Sequence, residues 1–121
     1  MRRIGHLVGG QRIEGEPDRA TSPVHDPATG EQTGAVLLAT GADVDEAVRA
    51  ARQALPGWRA TSLSRRAEIM FRFRDLLDQR RHDLAAVVTS EHGKVLSDAL
   101  GEVARGIENV EFACGVPQLL K

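Results

Sequence analysis

At 121 residues, the chain has the length of one small domain and is too short for two independent cores. Its 16 basic and 17 acidic residues leave a formal charge of −1, and 41% hydrophobic with 27% charged residues is the composition of an ordinary globular protein. Collagen-like, mucin-like and disordered chains are excluded, and attraction to nucleic acid or an anionic membrane would need a local basic patch.

Met1-Arg2-Arg3 is basic, but the segment from Gly5 to Gly10 lacks the apolar core of a signal peptide. The longest runs without charge, such as Thr33 to Ala42, fall short of the ~20 apolar residues that cross a bilayer. No membrane span is expected, and a cytoplasmic location is. The single cysteine, Cys114, has no internal disulfide partner and fits a reducing compartment.

In chain order, Gly5 to Val8 and Gln11 to Glu14 flank Gly9-Gly10, a two-residue link that accepts the positive φ of a tight hairpin. Asp26-Pro27-Ala28-Thr29-Gly30 reads as a turn: Pro27 presets φ, Asp26 can accept from the backbone ahead, and Gly30 tolerates a left-handed conformation. A strand from Thr33 to Ala39 is expected next. Residues 1–40 are thus β-rich and residues 41–121 helical.

Thr40-Gly41-Ala42-Asp43 has the spacing of a helix cap. Val44, Ala47, Val48, Ala51 and Leu55 then form an apolar face, with Pro56-Gly57 as the stop. A second helix beginning at Ser62 or Ser64 carries Ile69, Met70, Phe73, Leu76 and Leu77 as a buried stripe. A third buries Leu84, Val87 and Val88 and stops at Gly93. A fourth starts near Ser97 and repeats Leu100, Val103, Ile107, Val110 and Cys114 before Pro117. Four apolar stripes and three short strands cannot cover one another, so the core is expected to be incomplete.

Residue chemistry alone points to few sites. Cys114 continues an apolar seam and reads as buried and inert rather than nucleophilic. His6, His25, His82 and His92 show no metal-ligand spacing. Gly93-Lys94 lacks the glycine and the Ser or Thr of a phosphate loop, and no dinucleotide fingerprint or nucleophile elbow occurs. The arginines between Arg59 and Arg81 are interrupted by Glu68, Asp75 and Asp78, which favours a solvated, salt-bridged face over a nucleic-acid footprint. Arg105, between Gly101 and Gly106, is either a helical ion pair with Glu102 or Glu108 or a group left open to a ligand.

The turn Asp26 to Glu31, the helix from Asp43 to Leu55, Trp58, Arg65-Arg66 and Glu91-His92-Gly93-Lys94 together resemble the N-terminal order of the aldehyde dehydrogenase superfamily over nearly the whole chain. The run from Ala99 to Gly115, with Ile69 to Phe73, is similar to its CoA-acylating methylmalonate-semialdehyde dehydrogenase branch. The resemblance implies an α/β fold, here its N-terminal part: short strands followed by about four helices, a fragment of the NAD-binding domain that is incomplete as a domain. It implies NAD and coenzyme A as cofactors, a malonate or methylmalonate semialdehyde as substrate, acetyl-CoA or propionyl-CoA as product, and a homo-oligomer at full length. In such enzymes the catalytic cysteine, the general-base glutamate and the nicotinamide-binding residues lie in later segments. No catalytic, cofactor-binding or metal residue is therefore assigned here, and Cys114 does not match the nucleophile. The arginine of the Gly-Glu-Val-x-Arg-Gly motif falls on Arg105, which the resemblance assigns to the substrate carboxylate. On this reading the chain alone is inactive. A self-standing helical interaction module, or a truncated paralogue without catalysis, is the alternative.

Overall fold

Five short strands precede the first helix: β1 (Arg2–Ile4), β2 (His6–Val8), β3 (Gln11–Ile13), β4 (Thr21–His25) and β5 (Gln32–Leu37). They belong to a computed structural model in which residues 1–120 are described. Strands β2 and β3 form the expected antiparallel hairpin, pairing His6 with Ile13 and Val8 with Gln11. Gly9 and Gly10 between them have φ of 58° and 81°, which a side chain at either position would resist. The expected turn also forms: Asp26 Oδ1 accepts from the Ala28 amide at 2.8 Å, and the Gly30 amide donates to the Asp26 carbonyl at 2.7 Å.

The strand expected over Thr33 to Ala39 is β5, and it is central in a sheet ordered β1-β5-β4. β1 runs parallel to it, pairing Arg2 with Gly34, and β4 runs antiparallel, pairing Thr21 with Leu37. Neither β1 nor β4 was among the expected strands. β1 is only three residues long and finds its partner far along the sequence. β4 contains Pro23, which lacks an amide donor and is tolerated because β4 lies at the sheet edge.

Helix α1 (Gly41–Ala60) starts where the cap predicts but does not stop at Pro56-Gly57. Pro56 deprives only the Arg52 carbonyl of its partner, and every residue from 51 to 60 is exposed, so water can take that bond. The expected buried face of α1 is also corrected: Val44, Val48 and Leu55 are exposed, and Ala47 is half-buried. Compactness divides the chain after Ala60.

From Thr61 onward come α2 (Leu63–Gln79), α3 (Arg81–His92), α4 (Leu96–Cys114) and a 3₁₀ turn (Val116–Leu120). Ser62 caps α2, its Oγ accepting from the Arg65 amide at 3.3 Å. Gly93 ends α3 with φ 84° and donates its amide to the Thr89 carbonyl at 2.8 Å. Helix α4 carries the core of this unit through Ala99, Ile107 and Cys114, with Ala85 of α3 also buried. Burial of Ile107 and Cys114 follows the expected stripe, whereas Leu100, Val103 and Val110 are half-buried.

The stripes on the other helices are corrected. Ile69, Phe73 and Leu76 of α2 and Leu84 and Val87 of α3 are exposed, while Met70, Leu77 and Val88 are half-buried. A small alanine is enclosed with few neighbours, but large side chains need a further packed layer, and nothing among the described residues supplies one. Among the described residues the buried apolar side chains are Leu37 in the first unit and Ala85, Ala99, Ile107 and Cys114 in the second.

Candidate functional site

Arg105 lies on α4, one turn beyond Gly101 and next to Gly106, and it is exposed. A Cβ added at either glycine would meet nothing within 4 Å, so the surface beside the guanidinium is open. The helical ion pair with Glu102 or Glu108 does not form; among the described residues Arg105 makes no ion pair. Glu102 Oε1 is held instead by Lys94 Nζ at 2.6 Å. The Lys94 hydrogen bond is the main reason that the Glu102 carboxyl lies below its usual range, with the charges of Lys94, His92 and Arg105 adding to it. Asn109, one turn further on, turns its Nδ2 to the Arg105 carbonyl at 2.8 Å. The result is an unpaired, permanently charged donor fork of the shape that grips both oxygens of a carboxylate.

Among the described residues no hydrogen bond or ion pair joins the other sequence candidates to Arg105. Cys114 is 7% exposed and borders a cavity of about 640 Å³ lined by Leu63, Phe71, Pro117 and the carboxylates Glu68 and Glu111. No Lys, Arg or His side chain lines that cavity. His82 and Arg81 line a smaller cavity of about 180 Å³ with Leu100 and Ala104. Among the described residues no group of three or more His, Cys, Asp or Glu side chains is placed to hold a metal ion. No helix among them is long and apolar enough to cross a membrane.

The arginine-rich face is a lattice of ion pairs. Arg65 and Arg72 share Glu68, Arg74 donates from Nε and Nη2 to Glu111 Oε1 at 2.9 and 2.7 Å, and Arg81 pairs with Asp78. Each of these charges is taken up by the protein itself, as the salt-bridged reading expects.

A dinucleotide or coenzyme A would bring a pyrophosphate, which needs amide donors at a glycine-rich turn or a free helix N-terminus. The N-terminus of α1 is closed by its own residues. Asp43 Oδ2 accepts from the Thr40 amide and Oγ1, each at 2.7 Å, and from Arg19 Nη2 at 2.6 Å. The Thr40 amide and hydroxyl, followed by Arg19, hold the Asp43 carboxyl far below the usual aspartate range. The positive-φ glycines at 9, 10, 15 and 30 lie between strands and Gly93 ends α3, so none heads a helix. Helices α3 and α4 begin without a side-chain cap, so α1 is the helix whose start is closed in this way. The Arg19–Asp43 and Lys94–Glu102 pairs were not foreseen, because each joins residues too far apart for helical spacing to reveal.

These strands and helices, with the Gly-Glu-Val-Ala-Arg-Gly segment on α4, match the sequence pattern of the aldehyde dehydrogenase family over residues 14–121; the chain belongs to that family. Its relatives narrow the likeness. Malonate-semialdehyde dehydrogenase from Pseudomonas aeruginosa is 41% identical over 121 residues, which are 100% of this chain and 24% of that enzyme. The crystal structure of methylmalonate-semialdehyde dehydrogenase from Oceanimonas doudoroffii superposes with a TM-score of 0.94 at 47% identity, again over 100% of this chain and 24% of that one. A protein from Sinorhizobium meliloti 1021 solved in complex with NAD gives a TM-score of 0.93 at 42% identity, with the same coverage. The chain thus spans about 24% of the length of the curated relatives it matches, at their N-terminal end, and its fold is that part of the aldehyde dehydrogenase fold.

Proposed function

We propose that this chain acts as the N-terminal quarter of a cytoplasmic, homo-oligomeric, CoA-acylating malonate- or methylmalonate-semialdehyde dehydrogenase, within the NAD-binding domain. The complete enzyme converts the semialdehyde to acetyl-CoA or propionyl-CoA with NAD as oxidant. No described residue of this chain takes part in hydride or acyl transfer, so the chain alone is inactive. Its contribution to the chemistry is recognition. A semialdehyde that bears a carboxylate has to be told from a plain aldehyde, and Arg105 supplies the charge that does so.

The observation that carries this reading is the unpaired Arg105 guanidinium in the open space around Gly101 and Gly106. The likeness to semialdehyde dehydrogenases over all 121 residues favours it over a self-standing interaction module, which would draw on the same exposed apolar faces.

The test joins this chain to the remainder of the Oceanimonas doudoroffii relative. In that enzyme Arg105→Leu should raise KM for malonate semialdehyde by about 10- to 100-fold, the worth of a charge-assisted hydrogen bond. Propanal oxidation should change little. Equal losses on both substrates would reduce Arg105 to a structural residue. NADH formed by the 121-residue chain alone, given the semialdehyde, NAD and coenzyme A, would refute the division of labour.

A further inference from the structure

An arginine in mid-helix has four neighbours that can reach it, at three and four residues on either side. For Arg105 these are Gly101, Glu102, Glu108 and Asn109. Gly101 has no side chain, Asn109 is turned to the Arg105 carbonyl, and Glu108 makes no ion pair among the described residues. Glu102 is the one acidic neighbour with a stronger claim on it. Lys94, in the link between α3 and α4, reaches two turns along α4 and holds Glu102 Oε1 at 2.6 Å.

The competition between the two cations for Glu102 is decided by solvation. The Lys94 side chain is only 18% exposed, and an enclosed ammonium without a counter-charge is far costlier than a guanidinium standing in water. Glu102 therefore stays with Lys94, although Arg105 lies at ideal helical spacing and adds a weaker pull of its own.

We infer that Lys94 is a positioning residue for Arg105: by occupying the Glu102 carboxylate, it keeps the guanidinium unpaired and ready for a carboxylate arriving from outside. This rests on the reading of Arg105 as the carboxylate-binding group, and it adds the residue that keeps the group vacant. With Lys94 removed, Glu102 would turn one helical turn along α4 and satisfy Arg105 internally.

The experiment follows the Arg105 Nε–Hε resonance and the Glu102 carboxyl in the 121-residue chain by NMR, with malonate as the carboxylate probe. In the unaltered chain the Arg105 resonance should respond only weakly to the Glu102 titration and shift with malonate. In Lys94→Met it should begin to follow that titration, and malonate should bind about twofold to fivefold more weakly, the range of an exposed ion pair. Lys94→Arg should behave as the unaltered chain. Lys94→Met combined with Glu102→Gln should restore malonate binding, a rescue that a merely structural role for Lys94 does not give. Should Lys94→Met lose its structure, Glu102→Gln alone decides: unchanged malonate binding supports the inference, and weakened binding overturns it. An Arg105 resonance that follows Glu102 in the unaltered chain as strongly as in Lys94→Met also overturns it. If the pairing switches as expected but malonate never perturbs Arg105, the pairing stands and the carboxylate reading of Arg105 fails instead.

Discussion

Asp43 joins three separate parts of the chain: its own helix start, the Thr40 cap and Arg19 in the loop before β4. Its carboxyl titrates far below that of an unfolded aspartate. The folded state therefore binds fewer protons there than the unfolded chain, and the stabilisation is complete at neutral pH. It is lost as pH falls below ~4 toward the lower folded midpoint. Asp78, held down mainly by Arg81, and Glu102, held down mainly by Lys94, act with the same sign. Acid unfolding followed by circular dichroism should show Asp43→Asn with a shallower dependence on pH below ~4 than the parent chain. An unchanged slope would place the acid sensitivity elsewhere. Thr40→Ala removes the hydroxyl that both caps α1 and donates to Asp43, and should cost about 1 kcal/mol in urea denaturation. Half of this cluster could be read from spacing, since Thr40 and Asp43 lie three residues apart. Arg19 could not, because only the folded chain brings it across.

At the scale of elements, what was legible in the sequence was what local chemistry decides. Gly9-Gly10, Asp26 to Gly30, Ser62 and Gly93 each fix a turn or a helix end through groups within a few residues, and each stands as its residues require. Gly93→Ala should cost about 1–2 kcal/mol, because φ of 84° brings an L side chain against its own carbonyl. Thermal melts of the two proteins check this directly. The misread boundaries share one cause. Pro56 has the chemistry of a stop but falls in the last turns of an exposed helix, where one lost bond is tolerated. β1 and β4 exist only because β5 pairs with both, and pairing across the chain leaves no mark in a three- to five-residue window. Likewise, apolar periodicity located the helix faces but not which of them are covered. Ala85 and Ala99 are enclosed where Leu84 and Val87 are not, and only packing distinguishes these.

For the whole molecule, the accessible surface is 9007 Å². Even two separate compact proteins, each of half the 13.1 kDa mass, would together expose only roughly 7,700 Å². The excess agrees with the large apolar side chains left in water, among them Trp58, Phe71, Phe73, Leu76 and Phe112. In isolation the chain should therefore bind an apolar dye such as ANS while retaining its helical circular dichroism. Dye emission no higher than that of a well-packed monomer would contradict the exposed faces described above. A further consequence follows from Cys114, the one thiol in the sequence, enclosed at the end of α4. With Cys114 only 7% exposed beside the cavity at α2, an alkylating reagent reaches its sulfur faster each time α4 loosens from its neighbours. The chain thus carries its own stopwatch for breathing motions, one that needs no engineered label: the pace of thiol capture reads how often the second unit opens.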